Sequence, residues 1–379
     1  MRGAGLDDAI AVAAPIVADV RDRGDAALLE WTERFDGPRP DGFRVPAERI
    51  AAATVEDDVL DALRSMIRAV RTFNEAQRPA DTAVEAAPGI VSERRWLPLD
   101  SIGICVPSGR FPLPSSLVMA AVPALVAGVR RIAVVTPRPV DVTLVVAREL
   151  GLDEVYAIGG AQAVAALAYG TTSIAPVDRI VGPGNAYVTA AKILVSSHVG
   201  IDLPAGPSEV VVIADETADA QACAADLLAQ AEHGPDSEAI LFALDDTLAA
   251  GVAALVAGEQ NVRVERVASL DEALARSEDY APEHLELWLE DAEAAAARVR
   301  NAGTVFVRTP AVVGDYAAGA THVLPTSGLA KGAGGLGLES FLKPVQFVCA
   351  TSLERAREIA LPLARVEGLP RHAAALERR

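Results

Sequence analysis

Gln230 and His233 are the first residues whose types and spacing suggest chemistry. They lie three positions apart in AADLLAQAEHGPDS (residues 224–237), an alanine- and leucine-rich run typical of a helix that Gly234 would end. Residues three apart on a helix project from one face, so an amide oxygen and an imidazole would stand side by side. Both groups are acceptable ligands for a divalent metal such as zinc. Two residues make only half a metal site, and the alternative is that the pair is the polar end of a buried helix.

A second candidate is the adjacent acid and base Glu283 and His284, in the segment YAPEHLE at a predicted helix-to-strand boundary. A histidine titrates near neutral pH and is a natural proton acceptor for the oxidation of an alcohol. The alternative is a solvated helix end. The chain has five histidines: His198, His233, His284, His322 and His372. Most of them lie in polar, turn-bounded segments, namely AEHGPD, APEHLE and ATHVLPT, and this placement favours chemistry over packing.

Around these residues the chain alternates between apolar strands and helices of about ten to fifteen residues, typical of parallel βαβ units. Ligands of such sheets bind at the carboxyl ends of the strands. Two predicted strand ends carry glycine turns, at 159–160 before Gln162 and at 182–184 before Asn185. Bare backbone could approach a cofactor there, and a side-chain amide could bind it. The alternative is that the glycines only form tight turns, because neither turn has the G-x-G-x-x-G pattern.

Outside the alternating region the pattern is helical. The first hundred residues predict two helices before residue 37 and a longer one at about 47–77, without obvious chemistry. A strand at about 102–106 opens the alternating region. A flexible glycine-rich segment then precedes a helical tail near 352–377. We therefore expect an α/β protein with two Rossmann-like parallel sheets, a helical lead-in and a helical C-terminal tail.

Composition excludes several classes of protein. The chain has 379 residues, with 34 Lys plus Arg against 52 Asp plus Glu, a net charge of −18 and a pI near 4.7, so a nucleic-acid partner is not expected. No run approaches the ~20 apolar residues that a membrane span requires, and the acidic start does not resemble a secretory signal. Three widely spaced cysteines suit reduced thiols, and we expect a cytoplasmic protein.

Several long segments, in this order, closely resemble the histidinol dehydrogenase family. From about Arg23 to His372 they are IGGAQAVAALAYGT, IVGPGNAYVTAAK, VGID followed by AGPSEV, ADLLAQAEH, YAPEHLE, GDYAAGATHVLPT and EGLPRHA. The resemblance implies a zinc-dependent, NAD-linked enzyme that oxidises L-histidinol through the aldehyde to L-histidine in histidine biosynthesis. It further implies that residues 1–104 and 208–330 form one discontinuous domain with most of the catalytic site, residues 105–207 an NAD-binding domain, and residues 331–379 the glycine-rich segment and tail.

Individual roles also follow from the resemblance. It implies that His284 accepts the hydroxyl proton and that Glu283 activates water for attack on the aldehyde. The implied metal ligands are Gln230, His233, Asp315 and His372. These ligands and His284 also contact the substrate in the family, together with positions that match Ser208, His322 and Glu367. The implied cofactor contacts are Cys105, Gln162 and Asn185.

The sequence departs from the family pattern at three places. Cys105 stands where the family commonly has an aromatic cofactor contact, so stacking on the dinucleotide is expected to be lost there. Thr321 replaces the usual Asn before HVLPT, and Arg110 adds a cation that could serve an anionic substrate. These differences keep two alternatives open: a related zinc- and NAD-dependent dehydrogenase of another polar alcohol, and a non-catalytic binding or assembly protein on the same fold.

The resemblance also predicts assembly. In the family an N-terminal arm and the C-terminal tail are exchanged within a homodimer, and the tail supplies its late histidine to the partner's site. Here the chain begins where that arm would already have ended, while the tail with Glu367 and His372 is present. We therefore expect a homodimer that exchanges its tail across a smaller interface.

Overall fold

The computed structural model describes residues 4–38, 42–108, 112–204 and 206–378, so Arg110 lies outside the described residues. The chain begins with helices α1 (Ala4–Arg23), α2 (Asp25–Asp36), α3 (Ala47–Ala51) and α4 (Asp57–Glu75). The single helix predicted at 47–77 is therefore wrong, because the chain leaves the helical conformation between α3 and α4. Thr54 and Val55 are β-branched and lose rotamer freedom in a helix, and Glu56 is extended at the start of α4.

A hairpin of strands β1 (Thr82–Ala87) and β2 (Ile90–Pro98) follows and leads into the first parallel sheet. Its five strands lie in the order β5-β4-β3-β6-β7. They are β3 (Ser101–Cys105), β4 (Arg131–Val135), β5 (Glu154–Tyr156), β6 (Arg179–Val181) and β7 (Gly200–Ile201). The helices between them are α5 (Pro114–Ala127), α6 (Asp141–Glu149), α7 (Gly160–Tyr169) and α8 (Ala186–Val195). The order reverses between β3 and β6, and such a switch point leaves a crevice at the carboxyl ends of the strands.

Both faces of the first sheet are covered by helices. Ile132 and Val134 of β4 belong to one buried cluster with α3–α6, whereas Ala133 and Val135 belong to another with α1, α2, α7 and α8. Alternate residues of a strand point to opposite faces, so the sheet is buried on both sides. The lead-in helices thus extend the two helical layers of the first sheet. The predicted grouping of residues 1–104 with residues 208–330 in one discontinuous domain stays a prediction.

The second parallel sheet has the order β10-β9-β8-β11-β12. Its strands are β8 (Glu209–Ala214), β9 (Glu238–Ala243), β10 (Val262–Arg266), β11 (His284–Trp288) and β12 (Thr304–Val307). The associated helices are α9 (Ala220–Ala231), α10 (Asp246–Leu255), α11 (Leu270–Tyr280), α12 (Ala292–Ala296) and α13 (Val312–Tyr316). The fold class predicted from the sequence is confirmed. Among the described residues no helix is long and apolar enough to cross a membrane.

The C-terminal part contains a strand that the sequence did not predict. Strand β13 (Leu342–Ala350) pairs antiparallel with the whole of β2 and completes a third sheet, β1-β2-β13. The glycine-rich segment before it is not a flexible linker, because Leu338 and Phe341 are fully buried in the core of the first sheet. The tail forms two helices that pack on each other, α14 (Glu354–Val366) and α15 (Pro370–Glu377), separated at Gly368.

Candidate active site

Two cavities adjoin at residue Pro183, which lines both of them. The larger, of about 510 Å³, lies at the carboxyl ends of β3, β4 and β6. The smaller, of about 180 Å³, lies at the second sheet, where Ser208 and Glu283 precede β8 and β11 directly. The smaller cavity is therefore at the amino ends of its strands. Ligands of parallel sheets generally bind at the opposite edge, where the carboxyl ends of the strands lie.

The larger cavity contains all three predicted cofactor-binding residues. Cys105 ends β3, and Gln162 and Asn185 follow the two glycine turns. Asn185 Oδ1 caps α8 by accepting hydrogen bonds from the backbone N–H groups of residues 187 and 188, both at 3.1 Å. This leaves the Asn185 amide N–H groups for a ligand. Gln162 is buried, and its side-chain oxygen has no hydrogen-bond partner within the described chain.

The glycine turns are required by the backbone. Gly182 has φ +104°, and a Cβ there would lie 2.3 Å from the carbonyl oxygen of Cys105. Gly160 has φ +67°, a left-handed conformation that favours glycine. The turns therefore bring β3, β6 and the N-termini of α7 and α8 close together at one crevice. Helix N-termini carry partial positive charge, so this crevice suits an anionic group such as a pyrophosphate.

An apolar wall of the larger cavity was not predicted from the sequence. Val12, Phe35 and Tyr187 are about half exposed and all line this cavity. Phe35 is held by stacking on Trp31, with 5.6 Å between ring centroids. Cys105 is a buried thiol whose pKa burial raises to about 12, so it adds neither an aromatic face nor a charge. Phe35 and Tyr187 supply the aromatic surface of this cavity, and their position in its lining, not a sequence motif, identifies them.

Glu283 is the acidic group of the smaller cavity. Its Oε2 accepts hydrogen bonds from Ser208 Oγ at 2.5 Å and from the backbone N–H of Glu209 at 2.9 Å. Burial raises the pKa of this carboxyl to about 7, although both hydrogen bonds favour the ionised form. A carboxyl with a pKa near the working pH can both accept and release a proton.

His284 is buried beside Glu283 and packs against the ring of Phe306. Its Nδ1 lies 3.3 Å from the carbonyl oxygen of Glu209. A carbonyl only accepts hydrogen bonds, so the tautomer with the proton on Nδ1 is favoured and Nε2 is left as a proton acceptor. Burial lowers the pKa of His284, which keeps the imidazole neutral at neutral pH. The pair thus offers a neutral base next to a carboxyl.

Gln230 on α9, His233 in the turn after α9 and Asp315 on α13 line the same cavity. His233 Nδ1 lies 3.2 Å from the carbonyl oxygen of Ala229, which leaves Nε2 for another partner. The Gln230 side-chain nitrogen is buried without a hydrogen-bond partner in the described chain. The described ranges contain no group of three or more His, Cys, Asp or Glu side chains arranged to hold a metal. One amide, one imidazole and one carboxylate therefore form an incomplete donor set within a single chain.

The remaining predicted residues are divided between the cavity and the tail. His322 lines the cavity, with Nδ1 3.5 Å from an Asp315 carboxylate oxygen, and burial lowers its pKa to about 4. Glu367 and His372 are exposed in the tail and are not among the residues that line either cavity. Thr321 is not among the residues that line either cavity, and its hydroxyl accepts a hydrogen bond from the backbone N–H of Val323 at 3.1 Å.

Comparison with known proteins gives a consistent result. Residues 2–379 match the family model described as histidinol dehydrogenase. A histidinol dehydrogenase from Methanosarcina barkeri (strain Fusaro / DSM 804) is 42% identical over 404 positions, covering 100% of this chain and 93% of that protein. One from Gluconobacter oxydans (strain 621H) is 45% identical over 388 positions, covering 95% and 90%. The crystal structure of histidinol dehydrogenase from Elizabethkingia anophelis matches with a TM-score of 0.92 at 34% identity, covering 97% of this chain and 90% of that chain. The resemblance found in the sequence is confirmed.

Proposed function

This chain belongs to the histidinol dehydrogenase family, and we propose that it oxidises L-histidinol through L-histidinaldehyde to L-histidine with two NAD, in histidine biosynthesis. One observation carries this proposal. A crevice suited to a dinucleotide and a cavity with a buried acid and base share the wall at Pro183. An alcohol held in the smaller cavity would therefore be next to the reactive end of a dinucleotide in the larger one.

In the first oxidation His284 is the proposed general base. The hydroxyl proton of histidinol moves to Nε2 of His284, and a hydride leaves the same carbon for the cofactor, so that an aldehyde remains. When bound, NAD supplies the oxidising power by accepting that hydride. The lowered pKa of His284 supports this role because the imidazole is ready to accept a proton at neutral pH.

In the second oxidation Glu283 is the proposed base for water. The ionised carboxyl takes a proton from water as its oxygen adds to the aldehyde carbon. The former aldehyde oxygen takes back the proton held by His284, which completes the hydrate. The hydrate then gives a hydride to the second NAD and a hydroxyl proton to His284, so that the acid remains. Burial of Glu283 and its pKa of about 7 support this role, since an ordinary exposed glutamate would be too weak a base at neutral pH.

Zinc would be held by Gln230, His233, Asp315 and His372. The donor types fit, because amide oxygen, imidazole and carboxylate are all zinc ligands. The buried side-chain nitrogen of Gln230 has no partner in the described chain, so no hydrogen bond through that atom fixes which amide atom faces the cavity. Bound zinc would fix the amine and imidazole of the substrate. Ser208, His322 and Glu367 complete the proposed substrate contacts.

His372 would come from the tail of a second copy of the chain. Two observations support tail exchange in a homodimer. The described tail residues lie outside the cavity that needs a further ligand, and α14 exposes a row of apolar side chains at Ile359, Leu363 and Val366. Residues three and four apart on a helix share one face, so this row is suited to burial against another subunit.

For the cofactor, Gln162 and Asn185 would contact the dinucleotide, and Cys105 would do so without stacking. The exposed rings of Phe35 and Tyr187 offer a replacement aromatic surface for the adenine. We also propose a cytoplasmic location, which suits the three free cysteines of the described chain.

The test is NAD reduction by the purified chain, with L-histidinol and with a panel of other polar alcohols. We expect two NADH per histidinol, about one zinc per chain, and rescue of a histidine auxotroph. Activity with another alcohol but not with L-histidinol would show that the proposed substrate is wrong and that the chain is a related dehydrogenase of that alcohol. Zinc and NAD binding without turnover of any alcohol would contradict the enzymatic role and favour a binding or assembly protein.

A further inference from the structure

Two further carboxyl side chains, Asp226 and Glu286, line the smaller cavity and have no role in the reaction described above. Glu286 is only 1% exposed. The two carboxyls are close enough to perturb each other's pKa, which favours a proton shared between them. Burial raises the pKa of both groups, and the charge of Asp226 raises that of Glu286 further. Two carboxyls in contact cannot both ionise in such surroundings.

Glu286 has more partners than Asp226. Its Oε1 accepts a hydrogen bond from the backbone N–H of Ala311 at 2.6 Å, and its Oε2 accepts one from Trp288 Nε1 at 2.9 Å. One Asp226 carboxylate oxygen has no hydrogen-bond partner within the described chain. Glu286 therefore accepts hydrogen bonds from two N–H groups, whereas Asp226 interacts with Glu286 and with the indole of Trp288.

These contacts join the three elements that carry the reactive residues. Asp226 lies on α9, one turn before Gln230. Glu286 lies on β11, two residues after His284 and thus on the same face of the strand. Ala311 immediately precedes α13, the short helix that carries Asp315. A five-residue helix has little stability of its own, so its position depends on contacts such as this one.

We propose that Asp226 and Glu286 form a positioning pair that holds α9, β11 and α13 in register, so that Gln230, His284 and Asp315 converge on one substrate. This inference deepens the proposed function and rests on it. Neither residue lines the larger cavity, where NAD is proposed to bind. Its effect is on the placement of Asp315 and hence on histidinol and zinc.

The asymmetry between the two carboxyls provides the test. In Asp226→Asn the new amide can still donate to Glu286, and the pair keeps one negative charge. In Glu286→Gln the charge is also kept, but the amide cannot accept from both Ala311 and Trp288. We expect Asp226→Asn to remain within about threefold of the unmodified chain. We expect Glu286→Gln to lower kcat/KM for histidinol by about 10–100-fold, the scale of a misplaced reacting group.

Two further readouts separate positioning from general stability. Glu286→Gln should weaken zinc binding, measured by competition with a chelator, and speed amide hydrogen exchange in residues 311–316, while KM for NAD stays unchanged. The matched control is Glu278→Gln, because Glu278 also accepts backbone hydrogen bonds, from Arg300 at 2.7 Å and Asn301 at 3.3 Å, but lines neither cavity. The control should change none of these quantities.

The outcomes are decisive in both directions. Equal damage from Asp226→Asn and Glu286→Gln would overturn the proposal, and so would a lowered melting temperature in Glu286→Gln without a change in zinc affinity, exchange or kcat/KM. If the unmodified chain does not oxidise histidinol, the proposed function fails on its own. Zinc affinity and hydrogen exchange then still decide whether the pair holds α13.

Discussion

Replacing Ser208 with alanine is expected to move the pH dependence of aldehyde oxidation. The serine hydroxyl donates one of the two hydrogen bonds that stabilise the ionised Glu283 carboxyl, at 2.5 Å. A hydrogen bond to a charged group contributes about 1.5–3 kcal/mol, and one pKa unit corresponds to about 1.4 kcal/mol. Losing this bond should therefore raise the pKa of Glu283 by about 1–2 units from its value of about 7.

The sign follows from the role of the carboxyl. In its proposed role Glu283 must be ionised to accept a proton from water, so we expect aldehyde oxidation above the pKa of Glu283 and its loss as the pH falls through that pKa. A higher pKa of Glu283 shifts this decline, the acidic limb of the pH–rate profile, to higher pH. For a shift of about 1.5 units, the ionised fraction at pH 7.5 falls from about three quarters to about one tenth. Burial also raises the folded-state pKa of Glu283 above that of an exposed glutamate, so stability is lost as the pH rises from about 4.5 to about 7.

The assay is the initial rate of NAD reduction with histidinaldehyde as a function of pH, with histidinol oxidation measured alongside. Ser208 is also a proposed substrate contact, but a lost contact changes KM without moving the limb. Ser208→Thr keeps the hydroxyl and should keep the limb in place. An unmoved acidic limb in an active Ser208→Ala enzyme would refute the assignment of Glu283 as the base that activates water.

Three other substitutions test the remaining assignments. His284→Asn should lower turnover by about 10²–10⁴-fold while zinc stays bound. Initial rates of NAD reduction and metal analysis of the purified variant measure the two quantities. Normal turnover would exclude His284 as the base. Phe35→Ala should raise KM for NAD about tenfold with kcat unchanged at saturating NAD. The control is Phe73→Ala, because Phe73 is similarly exposed but lines neither cavity, and its KM for NAD should not change. Equal KM values for NAD in the two variants would exclude Phe35 from the cofactor site. Mixing inactive His372→Ala and His284→Asn chains should restore part of the activity if subunits exchange, because each mixed dimer would regain one intact site; no recovery after confirmed exchange would mean that the tail serves its own subunit.

The parallel sheets and their helices could be predicted because each element carries a local signal. Apolar runs of four to six residues and helical periodicity mark them in the sequence. Strand β13 carries no such signal. Most of its residues are exposed, and Pro344 lies within it, so its identity depends on pairing with β2, about 250 positions earlier in the chain. Long-range pairing of this kind cannot be read from a short window.

The candidate site shows the same limit. Gln230, His233, Glu283 and His284 form recognisable groups along the chain, so sequence reasoning found them. Glu286 looks like one polar residue in the strand LELWL, where a charged side chain would ordinarily be placed on a solvent face. Its burial becomes evident only when the backbone N–H of Ala311 and the indole of Trp288 are brought beside it.

The two cavities use opposite edges of their sheets, so their alignment depends on the segment between β6 and β8. Here the buried Lys192 donates hydrogen bonds to the carbonyl oxygens of Gly182 at 3.0 Å and Leu203 at 3.2 Å. Lys192 also forms an ion pair with Asp202. The Asp202 carboxylate accepts a hydrogen bond from the backbone N–H of Gly182 at 2.7 Å. A buried ion pair is weak evidence for stability, since desolvation offsets much of the attraction. Its directional hydrogen bonds nevertheless tie the turn that carries Pro183 to the segment that leads to Ser208. The pair therefore helps to hold the turn at Pro183, which lines both cavities, against the segment that leads to Ser208.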